Sequence, residues 1–249
     1  MDLLTAPLSI EAACLSAWPA IGAVHDRAWL WRFAQGYTKR SNCFQSLDPA
    51  DDADSERRIA RLAALSTGHG IPPVFRVTPL AGEGIVAALD RLGWAPFEES
   101  RVMIRPLDAP PAGDGEVRLF SPTDPRWYRA YATLASAPGP TIETLKLLLS
   151  LIAPEARGFV AYGRDRTPAA AALAVVCGEV AVFLNVVTDR ARRRQGFGRA
   201  AMTAALGWSR EAGARLAAIQ VISDNAAAIG LYEGLGFGEH YRYHYRRPA

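Results

Sequence analysis

Apolar residues recur at helical spacing through GRAAMTAALGWSREAG (198–213), and the run stops at Gly213. The next residues, ARLAAIQVIS (214–223), form a short apolar run that reads as a buried strand. Helical spacing returns in NAAAIGLYEGLGF (225–237) and closes at Gly236; HYRYHYR (240–246) then alternates as a strand does. The first part of the chain repeats this order. SERRIARLAALSTGHG (55–70) is helical and ends on Gly70, and PPVFRVTP (72–79) is strand-like with prolines only at its ends. GEGIVAALDRLGW (82–94) is a second helix closed by Gly93, and ESRVMIRP (99–106) follows as a strand.

A single offset relates the two series. Gly70 precedes Gly213 by 143 residues, and Leu92-Gly93-Trp94 precedes Leu235-Gly236-Phe237 by the same distance. Asn42 stands 143 residues before Asn185, each inside a strand-like run. Small α/β proteins often share such patterns by chance, but one offset holding through several landmarks favours internal duplication. Between the copies, PLDAPPAGDG (106–115) can continue neither a helix nor a central strand and reads as a linker. The expected organisation is a first domain over 1–107, a linker over 108–115 and a second domain over 116–249.

Composition adds limits rather than a direction. Half of the 249 residues are hydrophobic, enough for a sizeable core and against global disorder. A net charge of +3 offers no broad basic field, so nucleic acid is not an expected partner. Three widely spaced cysteines, Cys14, Cys43 and Cys177, suit neither a disulfide framework nor a zinc site, and no metal is expected. No apolar stretch is long enough to span a bilayer, and MDLLTAPLSIEAA lacks the basic start of a secretory signal. The expectation is a cytoplasmic protein without a membrane partner, with monomer and homodimer both open.

Chemistry concentrates in RRRQGFGRA (192–200), which follows the apolar run AVFLNVVTD (181–189) and leads into a helix. A strand, a glycine loop and a helix N-terminus together suit a phosphate group, because first-turn N–H groups are unsatisfied and partly positive. Gly196 and Gly198 would remove side chains that keep a pyrophosphate from the backbone, and Arg193, Arg194 and Arg199 would supply charge. Two glycines alone are weak evidence. The loop is neither a P-loop nor a three-glycine dinucleotide fingerprint, and a turn with solvated arginines is the bland alternative.

Downstream residues shift that balance. Arg193-Arg194-Gln195-Gly196-Phe197-Gly198 resembles the Arg/Gln-x-x-Gly-x-Gly/Ala acyl-CoA signature of the GNAT N-acetyltransferase superfamily. Asn225, Ala228, Leu231, Tyr232, Gly236 and Phe237 resemble the later Asn-x-x-Ala-x-x-Leu-Tyr-x-x-x-Gly-Phe element of the same family. The resemblance covers about residues 115–249 and departs from many relatives at Arg190, where they have proline. It implies an α/β fold of two tandem GNAT-like domains, each a mixed, mostly antiparallel sheet flanked by helices. It also implies transfer of an acetyl group from acetyl-CoA to a primary amine, on a small molecule or a peptide, by direct attack. Backbone amides from Arg194 to Arg199 would then hold the pyrophosphate, and Val186, Val187 and Thr188 would pair with the pantetheine arm. Asn225 would bond the cosubstrate, and Tyr232 would protonate the leaving thiolate.

The general base is left open among Glu179, His240 and His244. In the first copy, ADDADS (50–55) stands at the offset of the glycine loop, and Leu89 stands at that of Tyr232. Carboxylates there would repel a polyanion, so this copy is expected to be degenerate. Trp29, Trp31, Arg32, Tyr37, Lys39 and Arg40 either line an acceptor pocket between the domains or pack as ordinary core and edge. A non-catalytic acyl-CoA sensor or partner-binding module is the alternative function.

Overall fold

A computed structural model describes residues 3–109 and 115–249, so most of the expected linker 108–115 lies outside the described residues. The first half runs α1 (Pro7–Ala17), β1 (Gly22–Asp26), β2 (Trp29–Phe33), β3 (Phe44–Ser46), α2 (Ser55–Gly68), β4 (Phe75–Val77), α3 (Glu83–Arg91) and β5 (Trp94–Pro106). The second half runs β6 (Val117–Phe120), α4 (Pro125–Leu134), α5 (Gly139–Ser150), β7 (Glu155–Tyr162), β8 (Pro168–Cys177) and β9 (Val180–Thr188). It ends with α6 (Phe197–Glu211), β10 (Leu216–Ile222), α7 (Ala226–Glu233) and β11 (Gly238–Pro248).

The helices and strands read from the periodicity are present, except that Asn42 lies between strands, just before β3. β4 and β5 differ most from their expected lengths, for physical reasons. Pro72 and Pro73 cannot donate to a ladder, so β4 begins only at Phe75. β5 starts earlier than its apolar run because Trp94 already pairs with Pro248 of β11.

All eleven strands form one sheet, in the order β1-β2-β3-β4-β11-β5-β10-β9-β8-β7-β6. Neighbours are antiparallel except β3–β4 and β9–β10, the equivalent junctions of the two halves. The final strands are exchanged. β11 of the second half pairs with β4 of the first, and β5 of the first half pairs with β10 of the second. β5 and β11 also pair with each other, which welds the two half-sheets into one.

Helices cover both faces. α1 and α4 pack on β8 and β9, and their Ile10, Trp18 and Trp127 share one core with Val102, Tyr243 and Tyr245. On the other face α6 and α7 cover the second half, around Met202, Leu206 and Phe237. α2 and α3 cover the first half, around Trp29, Ile59 and Leu89. Because α1 comes from the first half and lies on second-half strands, neither half completes its core alone. Among the described residues no helix is long and apolar enough to cross a membrane.

Candidate active site

β9 and β10 pair in parallel only from Val180–Leu216 to Phe183–Ile219. Beyond that point the strands separate, and the edge of β9 facing away from β8 is left unpaired through Thr188. A bulge falls at the same place. Ala171 of β8 faces Val187 whereas Leu173 faces Leu184, and Asn185 takes a left-handed φ of 52°. Bulges re-aim the residues that follow them, and here those are Val186, Val187 and Thr188.

The loop after β9 is built by side chains that hold it open. Asp189 accepts a hydrogen bond from the Ala191 amide at 2.9 Å and starts a short helical turn, Arg190–Arg192. Arg192 donates to Asp165 and Thr167 and so braces the loop. Arg194 and Gly196 then adopt φ of 65° and 87°, and α6 begins at Phe197 without a side-chain cap. Its first-turn amides therefore stay open toward the loop.

The two glycines act differently. Gly196 supplies a left-handed turn that a side chain would strain. Gly198 is buried, and a Cβ there would lie 2.7 Å from Thr188 Oγ1. Its smallness lets α6 approach β9, rather than making room in the loop itself. Arg199 donates to the Gly234 carbonyl at 3.0 Å and ties α6 to the end of α7.

A cavity of about 710 Å³ lies between this loop, the open edge of β9 and α7. Eleven of the twelve expected site residues line it: Val186, Val187, Thr188, Arg193, Arg194, Gly196, Phe197, Gly198, Arg199, Asn225 and Tyr232. Gln195 is exposed on the loop and does not line it. Asn225 caps α7, its Oδ1 accepting from the Ala228 amide at 3.1 Å. Seven residues on, Tyr232 is 5% exposed and meets the edge of Phe237. Burial pushes its phenol above the usual range, with the Arg40 charge working the other way, so the hydroxyl keeps its proton at neutral pH. Among the described residues no group accepts from that hydroxyl.

Tyr232 also borders a second cavity, of about 400 Å³, which shares Val186, Asn225 and Ala228 with the first. Its walls come from both halves. Lys39, Arg40 and Glu98 enter from the first half, and Tyr131, Gln220 and Tyr243 from the second. The expected first-half cluster thus divides. Lys39 and Arg40 reach this cleft, whereas Trp29 and Trp31 are buried in the first-half core. Arg32 is buried too, donating to the carbonyls of Leu15, Trp18 and Arg40, and burial lowers its guanidinium to about 10. Tyr37 packs against Trp18.

None of the suggested bases lines either cavity. Glu179 pairs with Arg215 at the β8–β9 turn, His240 bonds the Thr5 carbonyl, and His244 sits in β11 beside Arg246. Sequence reasoning missed Glu98, Tyr131, Gln220 and Tyr243. The signal for Glu98 is a second bulge: β11 skips from Glu99 to Phe97 as its partner, and Glu98 takes φ of 44°.

At the offset of the glycine loop, the first half has an ion-pair network. Arg58, 4% exposed, binds Asp26 and Asp51 and lies 4.1 Å over the Trp29 ring. Asp51 also accepts from the Ala28 amide at 3.0 Å. The equivalent of Tyr232, Leu89, is fully buried.

A model of the family described as "Probable histone acetyltransferase Rv0428c C-terminal" matches residues 8–246. The chain is 23% identical over 244 residues to the uncharacterized N-acetyltransferase YobR of Bacillus subtilis, covering 95% of this chain and 96% of that one. A shorter stretch of 71 residues is 38% identical to the ribosomal protein bS18 alanine N-acetyltransferase of Escherichia coli K12, covering 28% of this chain and 48% of that one. Among solved structures, a GCN5-related N-acetyltransferase from Kribbella flavida superposes with a TM-score of 0.76 at 17% identity, covering 98% of this chain and 95% of that one. A tandem GNAT protein from the clavulanic acid biosynthesis pathway superposes with a TM-score of 0.65 at 16% identity, covering 82% and 74%.

Proposed function

Because the chain belongs to the Rv0428c C-terminal family within the GNAT superfamily, its chemistry is acyl transfer, and we propose that it moves acetyl from acetyl-CoA to a primary amine. The observation that carries this reading is the position of Tyr232, a protonated phenol on the boundary of two cavities. One cavity has the features that suit a pyrophosphate and a thioester arm. The other is closed by both halves and suits the amine.

Acetyl-CoA supplies the activated acyl group. The open amides at the start of α6 hold the pyrophosphate, and Arg193 and Arg194, which have no acidic partner among the described residues, add charge. The unpaired edge of β9 at Val186, Val187 and Thr188 takes the pantetheine arm as an added strand, and its amides polarise the thioester carbonyl. The Asn225 side chain bonds the same arm while capping α7. Glu98 is the only carboxylate on the acceptor cleft among the described residues, and it receives the proton of the attacking amine. Tyr232 donates to the departing thiolate.

Direct transfer is favoured over an acyl-enzyme. Cys14, Cys43 and Cys177 line neither cavity, and burial raises their thiols to about 12, about 11 and about 11. A thiol held that high supplies little thiolate at neutral pH.

Thiol release with an amine panel, together with calorimetric titration of acetyl-CoA, tests the assignment. Tyr232→Phe should lower kcat about 100-fold and leave the acetyl-CoA Kd within about twofold. Unchanged kcat would remove Tyr232 as the acid. Tight acetyl-CoA binding with no thiol released on any amine would favour a non-catalytic sensor.

A further inference from the structure

We propose that the amine acceptor carries an anionic group, a carboxylate or a phosphate, and that Arg40 of the first half binds it. This rests on the acceptor cleft assigned above and names what enters it. Among the described residues that line the cleft, Lys39, Arg40 and Glu98 carry its formal charges. Lys39 Nζ lies 2.9 Å from Glu98 Oε2, so these two offset each other. Arg40 is left over.

No carboxylate among the described residues pairs with Arg40. Its one side-chain hydrogen bond among the described residues runs from Nη1 to Gln220 Oε1 at 3.5 Å, the outer limit for such a bond. That oxygen already accepts from the Tyr243 hydroxyl at 3.1 Å. A guanidinium carries five N–H donors in a planar fork, so most of those on Arg40 have no protein acceptor. The buried arginines of the first half have partners of their own: Arg76 pairs with Glu11, Arg58 with Asp26 and Asp51, and Arg32 donates to three carbonyls. Behind the cleft, Arg32, Arg40 and Arg76 line a small void whose one carboxylate among the described residues is Glu11. The region is therefore short of negative charge. Asn185 Nδ2, in the wall of the same cleft, also lacks an acceptor.

The turn that carries Arg40 is held in place. It spans Lys39–Ser41, and its approach is clipped by Asn42 Nδ2 donating to the carbonyls of Tyr37 and Thr38 at 2.9 and 2.8 Å. Trp18 Nε1 donates to Thr38 Oγ1 at 3.0 Å, and Arg32 donates to the Arg40 carbonyl at 3.2 Å. A guanidinium carried on that turn, in the same cleft as Tyr232, fits an acceptor whose anion binds at Arg40 while its amine faces Glu98 and the thioester.

The test compares matched amines in the thiol-release assay: L-amino acids against their amides, β-alanine against β-alaninamide, and phosphoethanolamine against ethanolamine. Anionic members should show kcat/KM about tenfold or more above their neutral partners, because a site built for an anion loses its pairing when the anion is removed. Preference within the amino-acid pairs identifies a carboxylate, and preference within the phosphoethanolamine pair a phosphate. Arg40→Gln should bring the ratio to within about twofold, Arg40→Lys should retain part of it, and Arg40→Glu should reverse it. Melting curves establish that each variant folds, and the native protein's ratio stands as evidence without them. Equal or better use of the neutral partners overturns the proposal. So does a ratio that survives Arg40→Gln, or no acetylation of any member while acetyl-CoA binds. Absence of acetyl-CoA binding in the titration would instead break the underlying site assignment.

Discussion

Glu11 and Arg76 stand 65 residues apart in the chain and meet in the interior, 0% and 3% exposed. Tyr241 donates to Glu11 at 2.7 Å, Gln45 Nε2 donates to Glu11 at 3.3 Å, and the Arg76 guanidinium lies 3.8 Å over the Tyr243 ring. Burial alone would raise the Glu11 carboxyl. The Arg76 charge and these hydrogen bonds outweigh it and hold the group below 4.5. A depressed carboxyl contributes its stability above the unfolded value and loses it as pH falls through the folded one, so this network weakens in acid below about 4.5. Glu11→Gln should cost about 3–5 kcal/mol at neutral pH, since Arg76 is left buried without a counter-charge. The penalty should shrink as the pH drops below that value. Urea titrations across pH check both, and a neutral-pH loss under about 1 kcal/mol would show the network to be unimportant. In the sequence Glu11 is one acid on a short helix, because its partner is brought by tertiary contact. Tyr232 was legible for the opposite reason: its neighbours Asn225 and Phe237 are local and carry a recognisable spacing.

Periodicity set the elements well, since a helix or a strand is decided mostly by residues within one or two turns. The bulges at Asn185 and Glu98 were not legible, because a bulge is a mismatch between partners rather than a property of one strand. Gly198 shows the same limit. Its spacing pointed to the loop, but its reason is the approach of α6 to Thr188 on β9. Gly198→Ala should therefore push α6 away from β9 and weaken acetyl-CoA binding about tenfold. Thr188→Ala in the same chain should recover much of that loss, since the next nearest atom to the new Cβ is a Leu231 methyl at 3.4 Å. Calorimetric titration of the single and double variants decides. Independent, additive losses would mean the glycine serves the ligand directly.

Strand exchange is the feature that belongs to the whole molecule. β5 fills the gap between β10 and β11, with Val102 fully buried and Met103 1% exposed, and β11 fills the gap between β4 and β5. Each half produced alone should therefore fail to give a stable monomer, and mixing the two should restore the native circular dichroism and a single gel-filtration peak. A second half that unfolds cooperatively as a monomer would show that the exchange is dispensable. The repeated order of elements was visible from a constant offset of 143 residues, and the strand, glycine loop and helix that wall the cavity of about 710 Å³ from local spacing. Both are local patterns that survive without any fold. The cleft proposed for the acceptor was decided only by tertiary structure. β5 and β11 carry similar alternating patterns, so periodicity cannot choose which β4 or β10 will pair with. That pairing brings Glu98 and Tyr243 to one cleft, and the clipped turn before Asn42 carries Arg40 into the same cleft as Tyr232, so its walls come from residues far apart in the chain.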